Sequence, residues 1–186
     1  VSSGVMFILL YSFVRASPVD LPLTVSGEQT QVSETVPVAS PPARLSIASL
    51  GIDTTIKPVG LTADNDMAID DDQDTVAWYQ FGPKPGQVGS AVIAGHYGWK
   101  DGRGSVFNTI NTLKIGDEIS VEDEAGMSFT FIVRETRTYN PEADATAVFK
   151  STDAKAHLNL ISCIGTWVDS ADTYSERIVV FTNLKD

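Results

Sequence analysis

The sequence predicts an all-β domain, a barrel or sandwich of seven or eight short strands with few helices. Several segments alternate apolar and polar residues with a period of two, which is typical of strands with one buried face. Frequent glycines separate these segments, as expected for turns. Helix candidates are limited to a short segment near Val106–Leu113 and at most one turn within 141–156. Together these observations favour a β-barrel or β-sandwich.

The first half of the domain predicts strands on both sides of a loop-rich section. The stretch "RLSIASLGIDTTIKPVGL" (44–61) alternates around a glycine turn and predicts two strands. Residues 64–89 are rich in loop-forming residues and contain one short apolar segment, Thr75–Tyr79. The stretch "SAVIAGHYGW" (90–99) predicts a buried strand that ends at His96.

The second half predicts a hairpin followed by two further strands. The hairpin turn is expected at Glu124–Gly126, with a strand on each side. The stretch "HLNLISC" (157–163) predicts a strand, and "IGTWVDSADTYSE" (164–176) predicts a long polar loop. The last strand is expected at "RIVVFTNL" (177–184).

Composition excludes some classes of function. The chain has 186 residues, 42% of them hydrophobic, and a formal net charge of −11 at pH 7. Lys and Arg do not cluster along the sequence, so a nucleic-acid partner is excluded, because phosphate binding needs clustered cations. Cys163 is the only cysteine, so no intramolecular disulfide can form and zinc-binding CxxC spacings are absent.

Residues 1–15 are interpreted as an export or membrane-anchor segment. Val5–Val14 is mostly apolar and is closed by Arg15, but a membrane-spanning helix needs about 20 residues. It is either the second half of an anchor whose start is missing here or the apolar region of a signal peptide. Residues 16–43 hold five of the nine prolines and no aromatic residue, which predicts a flexible linker. The folded domain is expected at 44–186.

Three residues that can carry chemistry are expected at or near strand ends: His96, Cys163 and Arg177. In "LNLISC" the alternation puts Cys163 on the face opposite Leu158 and Leu160. A thiolate attacks a carbonyl carbon, and a histidine supplies or removes protons. A guanidinium donates hydrogen bonds to a developing oxyanion and favours the thiolate. The three residues are therefore chemically coherent as a set.

Taken singly, each of these residues also has an ordinary structural interpretation. A lone cysteine is most often buried and inert. A single histidine such as His96 is more often structural, and an arginine such as Arg177 at a strand start is more often a surface charge. His157, the other histidine, opens a predicted strand and is interpreted as non-catalytic.

Together, these stretches resemble the sortases, the cysteine transpeptidases of the Gram-positive cell surface, over the whole predicted domain. The family pattern T-L-x-T-C is met by "NLISC" at 159–163. The catalytic histidine of sortases follows a glycine, and His96 follows Gly95 here. The catalytic arginine of sortases opens the last strand, which is the predicted position of Arg177. The stretches 44–61 and 75–96 are most similar to class F, which is common in actinobacteria.

The resemblance implies an eight-stranded β-barrel with short helices and long loops, and with the three residues around a groove. It implies that Cys163 attacks the Thr–Gly carbonyl of an LPXTG-type sorting signal and forms a thioester. An amine of a peptidoglycan precursor or a pilin then accepts the acyl group. His96 would act as acid and base, and Arg177 would hold the substrate or its oxyanion. It also implies no cofactor, sorting-signal proteins as partners, and the extracytoplasmic face of the membrane as the location, with the N-terminal segment as anchor.

Two positions depart from the family pattern, since Asn159 and Ser162 stand where sortases carry Thr. Ser162 keeps a hydroxyl, so we expect activity to survive, whereas Asn159 leaves the substrate preference open. Ser162 and Trp167 are the candidate substrate contacts. The alternative for Trp167 is an ordinary packing role.

The acidic stretch "DNDMAIDDDQD" (64–74) contains six Asp, and some sortases bind calcium. Its spacing does not match an EF-hand loop, so it predicts a solvated loop and no metal site. Two other functions stay open: a non-catalytic surface β-domain that binds a peptide or wall polymer, and a hydrolytic cysteine peptidase in which water resolves the thioester. A papain-like enzyme is disfavoured because His96 precedes Cys163 in the chain.

Overall fold

The computed structural model describes residues 39–98 and 104–186. The predicted export segment 1–15 and residues 16–38 of the predicted linker lie outside the described residues. Within the described part of the chain, no helix is both long enough and apolar enough to span a bilayer.

Eight strands close into a barrel in the order β1-β2-β3-β4-β7-β8-β6-β5, which confirms the predicted all-β fold. The strands are β1 (Pro42–Ile47), β2 (Ile52–Val59), β3 (Val76–Tyr79), β4 (Gly89–Gly95), β5 (Glu118–Asp123), β6 (Ser128–Tyr139), β7 (Ala156–Val168) and β8 (Thr173–Leu184). The neighbours β2–β3 and β4–β7 are parallel, and the other pairs are antiparallel. Because β1 also pairs with β5, the sheet closes on itself and leaves no unpaired edge strand.

The helical segments are short. One α-helical turn, α1 (Thr146–Phe149), lies in the connection between β6 and β7, as predicted. The short helix predicted near 106–113 is found as turns followed by a short 3-10 helix at Ile110–Thr112. Its apolar residues Phe107, Ile110 and Leu113 are buried in the barrel core, and backbone hydrogen bonds run from Ile110 N to Phe107 O and from Leu113 N to Ile110 O.

Strand β7 is buried on both faces along its first half. Leu160 faces the barrel core and is fully buried. Asn159 and Ile161 face outward, where α1 covers them, and Asn159 Nδ2 donates a hydrogen bond to Val148 O at 2.6 Å. Cys163 is two residues further along the same outward face. The segment that contains α1 therefore covers the outward face of β7 as far as Ile161. Cys163, the next outward-facing residue, is half-buried.

The long polar loop predicted at 164–176 is also wrong. Strand β7 continues to Val168 and β8 begins at Thr173, so the connecting turn has only four residues. Trp167 and Tyr174 are cross-strand partners whose rings meet edge to face, with centroids 5.2 Å apart. Such an aromatic pair stabilises a hairpin even where the sequence is polar.

Candidate active site

His96 follows directly after the last residue of β4, as the sequence predicted. At Gly95 an added Cβ would lie 2.5 Å from Cδ2 of Phe107, so the chain passes the core here only without a side chain. His96 Nε2 lies 2.6 Å from Asp70 O, and since a carbonyl only accepts, Nε2 carries the proton in this contact. The carbonyl of Asp70 thus orients the half-buried imidazole ring.

The carbonyl that orients His96 belongs to a segment that is tied to the barrel. Asp70 Oδ2 accepts hydrogen bonds from Lys57 Nζ at 2.6 Å and from Thr75 Oγ1 at 2.5 Å. The hydrogen bond from Lys57 is the main cause that lowers the pKa of Asp70 below its ordinary value. Because Lys57 lies on β2, this ion pair connects the orientation of His96 to the barrel wall.

Cys163 lies within β7, half-buried on the outer face, directly across from Arg177 of β8 in the strand register. Arg177 likewise lies within β8 rather than opening it, so the prediction that both stand at strand ends is wrong. The reason is the extended hairpin described above. Burial raises the pKa of the Cys163 thiol, and the nearby Arg177 guanidinium opposes that rise.

The Arg177 guanidinium is held by three hydrogen bonds at the base of the hairpin. Nη1 donates to Tyr174 O at 2.9 Å and to Glu176 O at 3.1 Å, and Nη2 donates to Thr173 Oγ1 at 2.8 Å. Thr173 and Tyr174 in turn line the cavity next to Cys163. Arg177 therefore braces the wall of this cavity and places a fixed positive charge near the thiol.

A cavity of about 790 Å³ brings three of the predicted site residues together, whereas Arg177 is not among the residues that line it. His96, Cys163 and Trp167 all line it, together with Tyr97, Asp71 and Tyr174. Its aromatic wall is continuous, because the Tyr174 ring meets Trp167 on one side and Tyr97 at 5.1 Å on the other, both edge to face. Trp167 is 46% exposed, so much of its ring surface is open to a ligand.

Ser162 and His157 lie outside this cavity. Ser162 is on the core face of β7, and its buried Oγ donates to Gly95 O at 2.8 Å. It therefore joins β7 to the end of β4 beside His96 and does not face the cavity as a substrate contact would. His157 is buried near the start of β7, where its ring nitrogens contact Thr182, Asn183 and Asp153.

The acidic stretch 64–74 forms part of the cavity rim and pairs with a cation. Lys57 Nζ lies 2.6 Å from Asp70 Oδ2 and 3.8 Å from Asp72 Oδ2. No group of three or more His, Cys, Asp or Glu side chains is placed to hold a metal ion within residues 39–98 and 104–186. Asp70 and Asp72 therefore attach the β2–β3 connection to Lys57 of β2.

Sequence reasoning missed Tyr97, Tyr174 and the carbonyl of Asp70. A signal for Tyr174 existed, because Trp167 and Tyr174 flank the polar run "VDSADT", as cross-strand aromatics flank a hairpin turn. The Asp70 contact had no sequence signal, since any residue type presents a backbone carbonyl. Residues 99–103, which follow Tyr97 and Gly98, lie outside the described residues.

The geometry suits acyl transfer through a thiol. A half-buried thiol and an imidazole border one cavity, and a guanidinium stands across the strand from the thiol. The cavity is open and large enough for an extended peptide of several residues.

Comparison with known proteins agrees with this fold. Residues 45–185 match the family model described as "Sortase domain". No curated protein matches the chain. Among solved structures, sortase C-1 from Actinomyces oris is 21% identical with a TM-score of 0.59, over 77% of this chain and 73% of that one. Sortase A from Corynebacterium diphtheriae is 20% identical with a TM-score of 0.60, over 81% of this chain and 61% of that one. The sortase D5 transpeptidase of Clostridium perfringens is 22% identical with a TM-score of 0.58, over 78% and 79%.

Proposed function

The chain belongs to the sortase family of cysteine transpeptidases, and from that premise we propose that it cleaves an LPXTG-type sorting signal between Thr and Gly. The acyl group passes through a thioester on Cys163 to an amine of a cell-wall precursor or a pilin. Proteins with sorting signals and amine acceptors are the partners that the family implies, and sortases are generally independent of cofactors. The finer specificity is our proposal.

In the proposed reaction, the Cys163 thiol passes its proton to His96, and the resulting thiolate attacks the carbonyl carbon of the Thr–Gly bond. As the tetrahedral intermediate collapses, the C–N bond breaks and His96 gives that proton to the departing amine. The incoming amine then attacks the thioester and gives its proton to His96, and the departing thiolate takes this proton to become the thiol again. Bonds and protons balance over the cycle, so the enzyme returns to its starting state.

The observation that carries this proposal is the convergence of Cys163 and His96 on one cavity, with Arg177 across the strand from the thiol. The raised pKa of Cys163 means that the thiol is mostly protonated at neutral pH, so activation needs a nearby cation or base. Arg177 supplies the cation, and we assign to it the stabilisation of the thiolate and of the developing oxyanion. Trp167, on the cavity wall, is the proposed peptide contact.

We also propose class F as the nearest class and the N-terminal segment 1–15 as the membrane anchor, with 16–43 as a spacer before the catalytic domain. The sortase family acts outside the cytoplasm and is associated with the membrane. An apolar segment followed by a proline-rich spacer fits that location.

The decisive experiment incubates the full chain with an LPXTG-type peptide, with and without a glycine or lysine-like amine, and reads the products by mass spectrometry. We expect an acyl adduct on Cys163 and an amine-ligated product. The Cys163→Ala variant should form neither, and His96→Ala should lower the cleavage rate by roughly 10²- to 10⁴-fold.

Each alternative has its own outcome in this experiment. Cleavage with no ligated product at any amine concentration would indicate a hydrolytic peptidase. Intact peptide over a panel of motifs, with folded protein and unmodified Cys163, would indicate a binding domain and would overturn the proposal.

A further inference from the structure

A second cavity, of about 350 Å³, lies on the outer side of the barrel and shares no lining residue with the Cys163 cavity. Its walls come from β4, β6, β7 and β8, from α1, and from the segment that follows α1. Three of its lining side chains are cations: Arg134, Arg137 and Lys150. The chain carries a net charge of −11, so three converging cations are an exception to its overall electrostatics.

Two of the cations are held in place by one aromatic ring. The guanidinium carbons of Arg134 and Arg137 each lie 5.2 Å from the centroid of the Phe181 ring. Both cations share a single carboxylate: Arg137 Nη2 donates to Glu135 Oε2 at 2.8 Å, and Arg134 Nη1 lies 3.7 Å from the same oxygen. One carboxylate cannot neutralise two guanidinium groups, so positive charge remains at this wall.

Two further groups lack a partner within the described residues. Lys150 makes no ion pair there. The hydroxyl oxygen of Ser151 is buried and has no hydrogen-bond partner in the described part of the chain. A buried hydroxyl without a partner costs free energy, which a ligand oxygen would recover.

The carboxylate of Asp153, which also lines the cavity, is engaged by His157. His157 Nε2 lies 2.9 Å from Asp153 Oδ1, and Nδ1 lies 3.0 Å from Thr182 O. The hydrogen bond from His157 lowers the pKa of Asp153, which keeps that carboxylate ionised and paired. The cavity therefore holds more positive than negative charge.

We propose that this cavity binds a phosphate group. A phosphate presents three or four oxygens that accept hydrogen bonds, which suits guanidinium, ammonium and hydroxyl donors converging from several sides. A carboxylate presents only two acceptor oxygens and would satisfy fewer of these donors. The proposal does not depend on the reaction at Cys163, because the two cavities are separate. The phosphate is either free in solution or part of a lipid headgroup, and the chemistry of recognition is the same.

The first arm of the test measures the melting temperature of the full chain as inorganic phosphate is added, with ionic strength held constant by sodium chloride. At a phosphate concentration tenfold above Kd we expect a rise of about 3–5 °C. Lys150→Ala and Arg134→Ala should each abolish most of that rise. Lys114→Ala and Arg44→Ala remove the same charges elsewhere and should retain it.

The second arm measures sedimentation of the same variants with vesicles that contain phosphatidic acid and with phosphatidylcholine vesicles, and the response is the difference between the two, which removes binding through residues 1–15 that both vesicle types share. A dependence on Lys150 in both arms, or in the vesicle arm alone, assigns the site to a headgroup, and a dependence in the phosphate arm alone assigns it to free phosphate. The proposal is wrong if both arms show the same response in Lys150→Ala as in Lys114→Ala, or no response in the unchanged protein. The melting temperature without phosphate verifies folding.

Discussion

At the scale of single residues, Cys163 combines two opposed influences. Its position on a half-buried face of β7 disfavours the charged thiolate, while Arg177 across the strand favours it. Burial is the larger of the two influences, so the pKa of the thiol is raised above its ordinary value.

We predict that Arg177→Ala raises the pKa of Cys163, because it removes the cation that favours the thiolate. The rate of alkylation by iodoacetamide, followed against pH, should shift to higher pH and fall at neutral pH. Cys163 is the only cysteine, so the signal has a single source. Arg44→Ala is the matched control for loss of an exposed arginine, and an identical profile in both variants would contradict the role assigned to Arg177.

At the scale of elements, the β7–β8 hairpin determines the shape of the site. The ladder between the two strands shifts register between Ile164 and Trp167. Gly165 lies in this irregular stretch with a φ of 91°, a conformation that residues with a side chain rarely adopt. On one side of this bulge Cys163 pairs with Arg177, and on the other side Trp167 pairs with Tyr174. The bulge therefore separates the part of the hairpin that holds the thiol from the part that holds the aromatic pair.

We predict that Gly165→Ala destabilises the protein by about 1–3 kcal/mol more than Gly116→Ala does. Both glycines have positive φ, so the backbone strain is similar. Only at Gly165 would the added Cβ overlap Ser175 Oγ, whereas nothing lies within 4 Å at Gly116. The free energy of unfolding in urea checks the difference. Equal losses would show that the hairpin accommodates the methyl group.

At the scale of the whole molecule, closure of the barrel depends on residues before the predicted domain start. Strand β1 begins at Pro42, and Ala39 is buried. Asp123, at the end of β5, accepts a hydrogen bond from Ser40 N at 2.9 Å. Burial alone would raise the pKa of Asp123, but hydrogen bonds from backbone N–H groups outweigh it and lower the pKa.

We predict that a chain starting at residue 44 is about 2 kcal/mol less stable than one starting at residue 37, because it loses the hydrogen bond from Ser40 to a carboxylate and the cover that Ala39 provides. The contribution of Asp123 is present above the ordinary carboxyl pKa and disappears as pH falls through the lowered pKa of the folded state. The stability difference should therefore shrink in acid. Urea unfolding of both chains at pH 7 and at low pH tests this, and equal stability at pH 7 would be inconsistent with it.

Much of the fold and part of the site were predictable from the sequence. Period-two alternation predicted the face of β7 that holds Cys163, and the apolar run to Gly95 predicted where His96 emerges. Both are local properties, because side-chain direction in a strand follows from the position of the residue alone. The short helix near 106–113 is found as a 3-10 helix rather than an α-helix, because its buried residues Phe107, Ile110 and Leu113 recur at every third position.

The sequence by itself determined the all-β class, the end of β4 at His96, and the outward face of Cys163. Only the tertiary structure decided the extended hairpin that carries Arg177, the orientation of His96 by Asp70, and the convergence of Lys150, which follows α1, with Arg134 and Arg137 of β6. The last two features join residues from segments that are distant along the chain. Their physical cause is the closure of the barrel, because the packing of strands and connections against one another decides which distant side chains meet.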